Sequence, residues 1–247
     1  MLEHASTTST SRGQTNTLIA GFAIACATLL SILFVALDEG ASGATPLAIM
    51  QSMLKMRDMK ALVHGVAIAS VLAYAFGYAS LAARLDLRRP LVLAGLTTYL
   101  IGCVAMIGAT ILDGFISTDV AAQFVKASPE GIKLGYNLIV FLGVAITDLA
   151  KLGWVLQACA ALAWAIVLIA ERGLYRTVGL IGLLSGGLVL TAVLASGANM
   201  SLTAILSILL AQAIWNLAAA TLLIRRSGAP GLSHATNHYK EVELQMS

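Results

Sequence analysis

The chain has 247 residues, of which 59% are hydrophobic and only 11% charged, with a net charge of +3 and a mean hydropathy of +0.89. Soluble domains are about 45–50% apolar and about 25% charged, so a water-soluble globular protein is excluded and lipid is the solvent for most of the sequence. A hydrocarbon core about 30 Å thick takes roughly 20 apolar residues per helix, and the uninterrupted apolar runs are far longer than the ~10-residue alternating segments of a barrel. The fold class that fits is all-α, a polytopic integral membrane helical bundle.

In chain order, the stretches between charges predict six spans: Leu18 to Leu37, Ala61 to Ala83, Leu91 to Leu112, Leu152 to Ala170, Val178 to Ser196 and Leu202 to Ile224. The expected organisation is therefore an N-terminal tail over 1–17, a transmembrane domain over 18–226 and a flexible C-terminal tail over 227–247. Arg12 before an apolar run resembles a secretory signal. That run is about 20 residues long, beyond the usual ~7–15, and no clean small-x-small site precedes Asp38-Glu39, so a retained helix is expected.

Arg84, Arg88 and Arg89 follow span two, Arg172 and Arg176 follow span four, and Arg225 and Arg226 follow span six. The positive-inside rule makes that side cytoplasmic, together with both tails, in a cell membrane. Lys55, Arg57 and Lys60 between spans one and two argue mildly against this orientation. Nine Lys or Arg still fall inside against at most six outside.

Between spans three and four, Ser117, Thr118 and Asp119 offer an N-cap for a short interfacial helix with Val120, Phe124 and Val125 along one side. Ser128-Pro129-Glu130 then starts another helix with no strong breaker before Arg172. That helix exceeds 40 residues, about 60 Å, twice what a bilayer requires. It either protrudes or breaks near Thr147-Asp148. Seven spans would place Arg225 and Arg226 outside, so six are kept and Ile132 to Ile146 is read as an apolar half-helix, an interfacial segment between spans three and four.

Asp148 and Lys151 lie three apart on one helical face and are placed to pair; ionisable groups at membrane depth mark candidate sites. The bland alternative is an interfacial pair whose lysine snorkels. His64 is the histidine inside a span, where a proton relay or a haem ligand is conceivable. Haem is disfavoured because His4, His234 and His238 all lie in the tails and supply no second buried imidazole. His64, Asp148 and Lys151 are the candidate binding residues.

Met50, Met53, Met56 and Met59 recur every three residues, and Met200 sits in the other short external loop. Soft thioethers select copper(I) or silver(I), so a Cu(I) site is one reading. Against it, positions three apart drift about 60° per step around a helix, Lys55, Arg57 and Lys60 are interleaved, and methionine also fills gaps at apolar contacts. Cys26, Cys103 and Cys159 fall mid-span in different helices and read as packing residues. His234-x-x-x-His238 suits a metal if helical, but the adjacent Gly228, Pro230 and Gly231 favour disorder.

Small residues at three- or four-residue spacing mark close helix approaches: Ala73, Gly77 and Ser80; Gly102, Ala105 and Gly108; Gly179, Gly182, Ser185, Gly186 and Gly187. These are either seams within the bundle or faces for a homo-oligomer or larger membrane complex. No Walker A loop, nucleophile elbow, His-Glu-x-x-His or dinucleotide fingerprint is present, and no recognisable inverted repeat. Nothing points to nucleic acid. The expected function is non-catalytic, a small transporter-like or accessory binding protein with its site among the external helix ends; the alternatives are copper(I) handling and a structural subunit.

Overall fold

The computed structural model describes residues 4–37, 40–197 and 200–225. The Asp38-Glu39 pair, Arg226 and the C-terminal tail with His234 and His238 lie outside them. Among the described residues there are eight α-helices and no strand: α1 His4–Leu37, α2 Pro46–Lys55, α3 Arg57–Arg84, α4 Pro90–Ile111, α5 Ser117–Phe124, α6 Pro129–Ile169, α7 Leu174–Ala195 and α8 Leu202–Ile224. A five-residue π-helical segment, Leu112–Ile116, joins α4 to α5 without a break. Six helices are long and apolar enough to cross a membrane. The protein is a multi-pass membrane protein in contact with the lipid bilayer, and each expected span coincides with one of the six, overrunning it by at most one residue.

Ionic and cap contacts define one end of the bundle. Arg84 donates to the carbonyl of Leu222 at 2.9 Å, its guanidinium lies 5.7 Å from the Tyr175 ring centre, and Arg89 pairs with Glu171 at 3.5 Å. These contacts gather the end of α3, the start of α4, the end of α6, the start of α7 and the end of α8. Arg84 in the last turn of α3 also complements that helix's C-terminal dipole.

Behind this end lies the main core. Tyr78, Trp164, Trp215 and Tyr99 pack ring to ring, Tyr78 stacking on Trp164 at 5.2 Å and on Trp215 at 6.1 Å, with Tyr99 tilted at 4.5 Å. Two of their polar edges are answered locally, the Tyr78 hydroxyl donating to Asn216 Oδ1 at 2.6 Å and Trp164 Nε1 to the Val92 carbonyl at 3.2 Å, while Trp215 Nε1 is buried without a hydrogen-bond partner among the described residues. In lipid a polar edge left facing hydrocarbon costs free energy, so each such bond also ties two helices together. Gln212 and Gln157 add a further link between α8 and α6 at 3.0 Å.

The small-residue faces are internal seams. A Cβ on Gly77 would meet Ile24 at 2.3 Å, one on Gly182 would meet Trp215 at 2.6 Å, and one on Gly102 would meet the Gly153 carbonyl at 3.0 Å. Gly187 is the exception, facing open space.

Two helices outrun the membrane. Pro90–Phe124 is 35 residues, about 52 Å, and α6 is 41 residues, about 62 Å. Of the two expectations for α6, protrusion or a break near Thr147-Asp148, the chain takes the first. The Thr147 hydroxyl bonds back to the Gly143 carbonyl at 2.8 Å and the helix continues, so Ile132 to Ile146 is the first half of one rod. The Lys151 ammonium donates to the Gly197 carbonyl in the α7–α8 turn. α6 packs against α7 and α4 and also against the π segment, α5 and α2, with Ile132 and Ile139 of its first half seated on the α2 methionines.

The expected N-cap at Ser117 and Thr118 is corrected. Both hydroxyls point backward, Ser117 to the Leu112 carbonyl at 2.8 Å and Thr118 to the Phe115 carbonyl at 2.8 Å, and no side-chain cap forms there. A helix that never stops has no free N–H groups to cap. The start at Ser128 is as expected, its hydroxyl accepting from Gly131 N–H at 3.3 Å with Pro129 in the first turn.

Candidate functional site

At the end opposite the arginines, the loop after α1 returns through α2, whose start is capped by Thr45 and whose first turn holds Pro46. Met50 and Met53 on its inner face are buried with Ala121, against Phe124, Ile132 and Ile139. This apolar seat fixes α2 against α5 and α6, next to the start of α3.

The π segment is the decisive local feature. Both the N–H and the hydroxyl of Ser117 reach the Leu112 carbonyl, five residues back. The residue added to that turn rotates the downstream part of the helix by about 100° about its axis, and such bulges recur where a helix must present particular groups. Here it sets Asp113 and Gly114 against α3. Gly114 has no alternative: a Cβ would stand 2.4 Å from both Cβ and Cγ of His64.

Three ionisable groups meet as a result. Asp113 Oδ1 accepts from Lys60 Nζ at 3.2 Å, and Oδ2 lies 3.2 Å from His64 Nε2. Lys60 and His64 are four apart on α3 and therefore share a face. Their side chains are 9% and 8% exposed, against 35% for Asp113. The carboxylate is thus the exposed member, backed by two buried basic groups.

The His64 ring carries a further constraint. Its Nδ1 lies 2.8 Å from the Lys60 carbonyl oxygen, which can only accept, so Nδ1 bears a hydrogen. A neutral ring would then turn an Nε2 lone pair onto a carboxylate lone pair. The Nε2···Oδ2 contact is attractive only with a proton in it, carried by the imidazole or by the carboxyl.

Asp113 opens onto a cavity of about 350 Å³. Lys60 and Ser117 complete its polar side, while Ile49, Met53, Ile139 and Ile146 make the apolar one. Gly143 of α6 also lines it, and a Cβ there meets nothing within 4 Å. Nearby, Arg57 and Asp119 pair with each other at 2.7 Å, tying the start of α3 to α5.

Of the candidates read from the sequence, His64 joins this site and Asp148 and Lys151 do not. Asp148 with Lys151 is not among the described ion pairs, Lys151 being turned to the Gly197 carbonyl. The methionines do not converge. Met50 and Met53 are buried, Met59 is 49% exposed, Met56 sits at the α2–α3 junction, and Met200 packs with Trp154 and Val193 in a different cluster. Among the described residues no group of three or more His, Cys, Asp or Glu is placed to hold a metal.

Sequence reading missed Asp113 and the role of Lys60. Asp113 is the acidic residue directly after the third apolar run, an ionisable group at a helix end that the same argument applied to His64 would have singled out. No family model matches the chain, and no curated protein or solved structure matches it.

Proposed function

We propose that this chain is a ligand-binding membrane protein of the transporter or accessory kind, without catalytic activity, and that its site is the cavity lined by Asp113 and Lys60, with His64 behind Asp113. The observation that carries this reading is the conjunction of a cavity with an ionisable trio that the π segment has been bent to assemble. Ionisable groups packed among apolar spans are costly, and their presence there marks a candidate site. Pockets that bind small molecules combine apolar walls with a few converging polar groups in this way. With the arginine-rich end cytoplasmic by the positive-inside rule, the cavity lies at the external end.

Gly143 gives a clean test, because open space beside it lets a large side chain fill the cavity without displacing backbone. In a strain lacking the gene, Gly143→Phe and Asp113→Asn, each present in membranes at the wild-type level, are expected not to restore the deletion phenotype. Full complementation by Gly143→Phe would retire the cavity as the site.

Copper(I) handling rests on less, since Met53 alone of the five thioethers lines the cavity. A structural-subunit role has one observation in its favour. Leu134, Phe141 and Val144 face outward on the half of α6 that outruns α7, 54%, 69% and 57% exposed. Native mass spectrometry after gentle extraction separates it, a stoichiometric partner supporting the subunit role and a lone chain opposing it.

A further inference from the structure

We infer that the cavity takes a small organic cation with an apolar body, such as a primary ammonium on an aromatic or aliphatic frame, in exchange for the proton shared by His64 and Asp113. The inference rests on the reading of the cavity as a ligand site and adds the chemical class of the ligand.

Four observations carry it. Of the two charged side chains on the cavity wall, the Asp113 carboxylate is the exposed one at 35%, while Lys60 beside it is 9% exposed and His64 behind it 8%. A carboxylate offers about four lone-pair positions, and Lys60 and His64 engage one on each oxygen, so acceptor capacity remains on the cavity side. The opposite wall, Ile49, Met53, Ile139 and Ile146, suits an apolar body and a soft thioether contact with a ring. A volume of about 350 Å³ suits a small molecule and is far larger than a bare metal ion needs.

Charge conservation supplies the coupling. With the proton present, the trio holds one ammonium, one carboxylate and one proton shared between His64 and Asp113. When a monovalent cation seats against Asp113 and that proton leaves through the cavity to water, the charge of the trio with its ligand is unchanged. No large change of buried charge is then required, which is the condition for exchange at a site backed by apolar helices. Among the described residues the charged groups facing the shared proton are Lys60 on α3 and Asp113 itself. The α2, α5 and α6 residues at the cavity bring no titratable group, and Arg57 and Asp119 are paired with each other.

The test is calorimetric titration of the detergent-purified full-length protein with three near-isosteric probes: benzylammonium, benzyl alcohol and benzoate. Benzylammonium is expected to bind at least about tenfold more tightly than either of the others. Repeating the titration in two buffers of different ionisation heat should show up to one proton released per benzylammonium bound. Its affinity should rise with pH, approaching a limit of about tenfold per unit while the proton is loaded. These wild-type readouts need no variant. His64→Gln, which keeps a donor toward Asp113, should bind benzylammonium with no proton release, and Asp113→Asn should lose the preference for the cation.

Benzoate binding as tightly as benzylammonium, or benzylammonium binding without proton release in the wild type, would overturn the inference. So would a lack of benzylammonium binding. In each case the cavity reading stands if Gly143→Phe still abolishes complementation, and both fall if that variant complements.

Discussion

The two ends of this bundle handle polar groups in opposite ways. At the arginine end and in the core behind it, polar atoms are matched to fixed neighbours, Tyr78 to Asn216, Trp164 to the Val92 carbonyl and Arg84 to the Leu222 carbonyl, with Trp215 Nε1 the buried exception. Aromatic faces fill the space between them. At the far end, Lys60, His64 and Asp113 are brought together by a π turn that a regular helix would not contain, and Asp113 and Lys60 are left lining a cavity. Closed pairing is what helix association in lipid needs; carboxylate acceptor positions left open toward a void add nothing to it. The comparison therefore separates residues that hold the fold from residues that the fold holds in place.

The largest expected effect lies in the closed region. Trp164→Ala removes a fully buried side chain that touches Tyr78 and Tyr99, and truncations of this size cost on the order of 3–5 kcal/mol. A fall in the thermal midpoint in detergent, with benzylammonium affinity retained in whatever remains folded, would match the division of roles.

Next comes Gly114→Ala, which drives a methyl into His64. Overpacking of this kind costs roughly 1–3 kcal/mol. It should also disperse the trio, so that proton release on ligand binding disappears; unchanged proton release would show that the π turn does not position His64.

Smaller still is Tyr78→Phe, which deletes the hydroxyl on Asn216 and should cost about 0.6 kcal/mol, the average for interhelical hydrogen bonds in membranes. Smallest is Gly143→Phe, which should leave stability unchanged or raise it by about 0.5 kcal/mol, because a glycine is replaced inside a helix. The same variant should abolish function. A variant that is fully stable and inactive is the sharpest contrast available with Trp164→Ala.

The spans were legible because lipid imposes a length and a composition that the sequence must display, and all six charge-bounded runs became helices. The small-residue seams were legible as close approaches, although their placement inside one subunit needed the fold: Gly77 against Ile24 and Gly182 against Trp215 are pairings no spacing rule specifies. The site was harder. His64 stood out because a histidine in an apolar run is unusual. Its partner lies at position 113, and the contact depends on a single extra residue in a helical turn, which leaves no mark in hydropathy. Asp148 and Lys151 had better spacing than Lys60 and Asp113 and still did not pair, since the α7–α8 turn offers Lys151 a carbonyl. The same loss of local rules appears at Ser117 and Thr118, good cap residues placed where the helix does not end.

The central claim, that the far end holds a cavity reachable by small cations while the aromatic core is sealed, is tested most directly by thiol accessibility. In a chain with Cys26, Cys103 and Cys159 replaced by serine or alanine, Gly143→Cys and, as a reference within the core, Ala160→Cys are exposed to a cationic methanethiosulfonate reagent in native membranes. Rapid modification at position 143, slowed by benzylammonium, with none at position 160, is the expected result. A thiol at 143 as inert as one at 160 would contradict it.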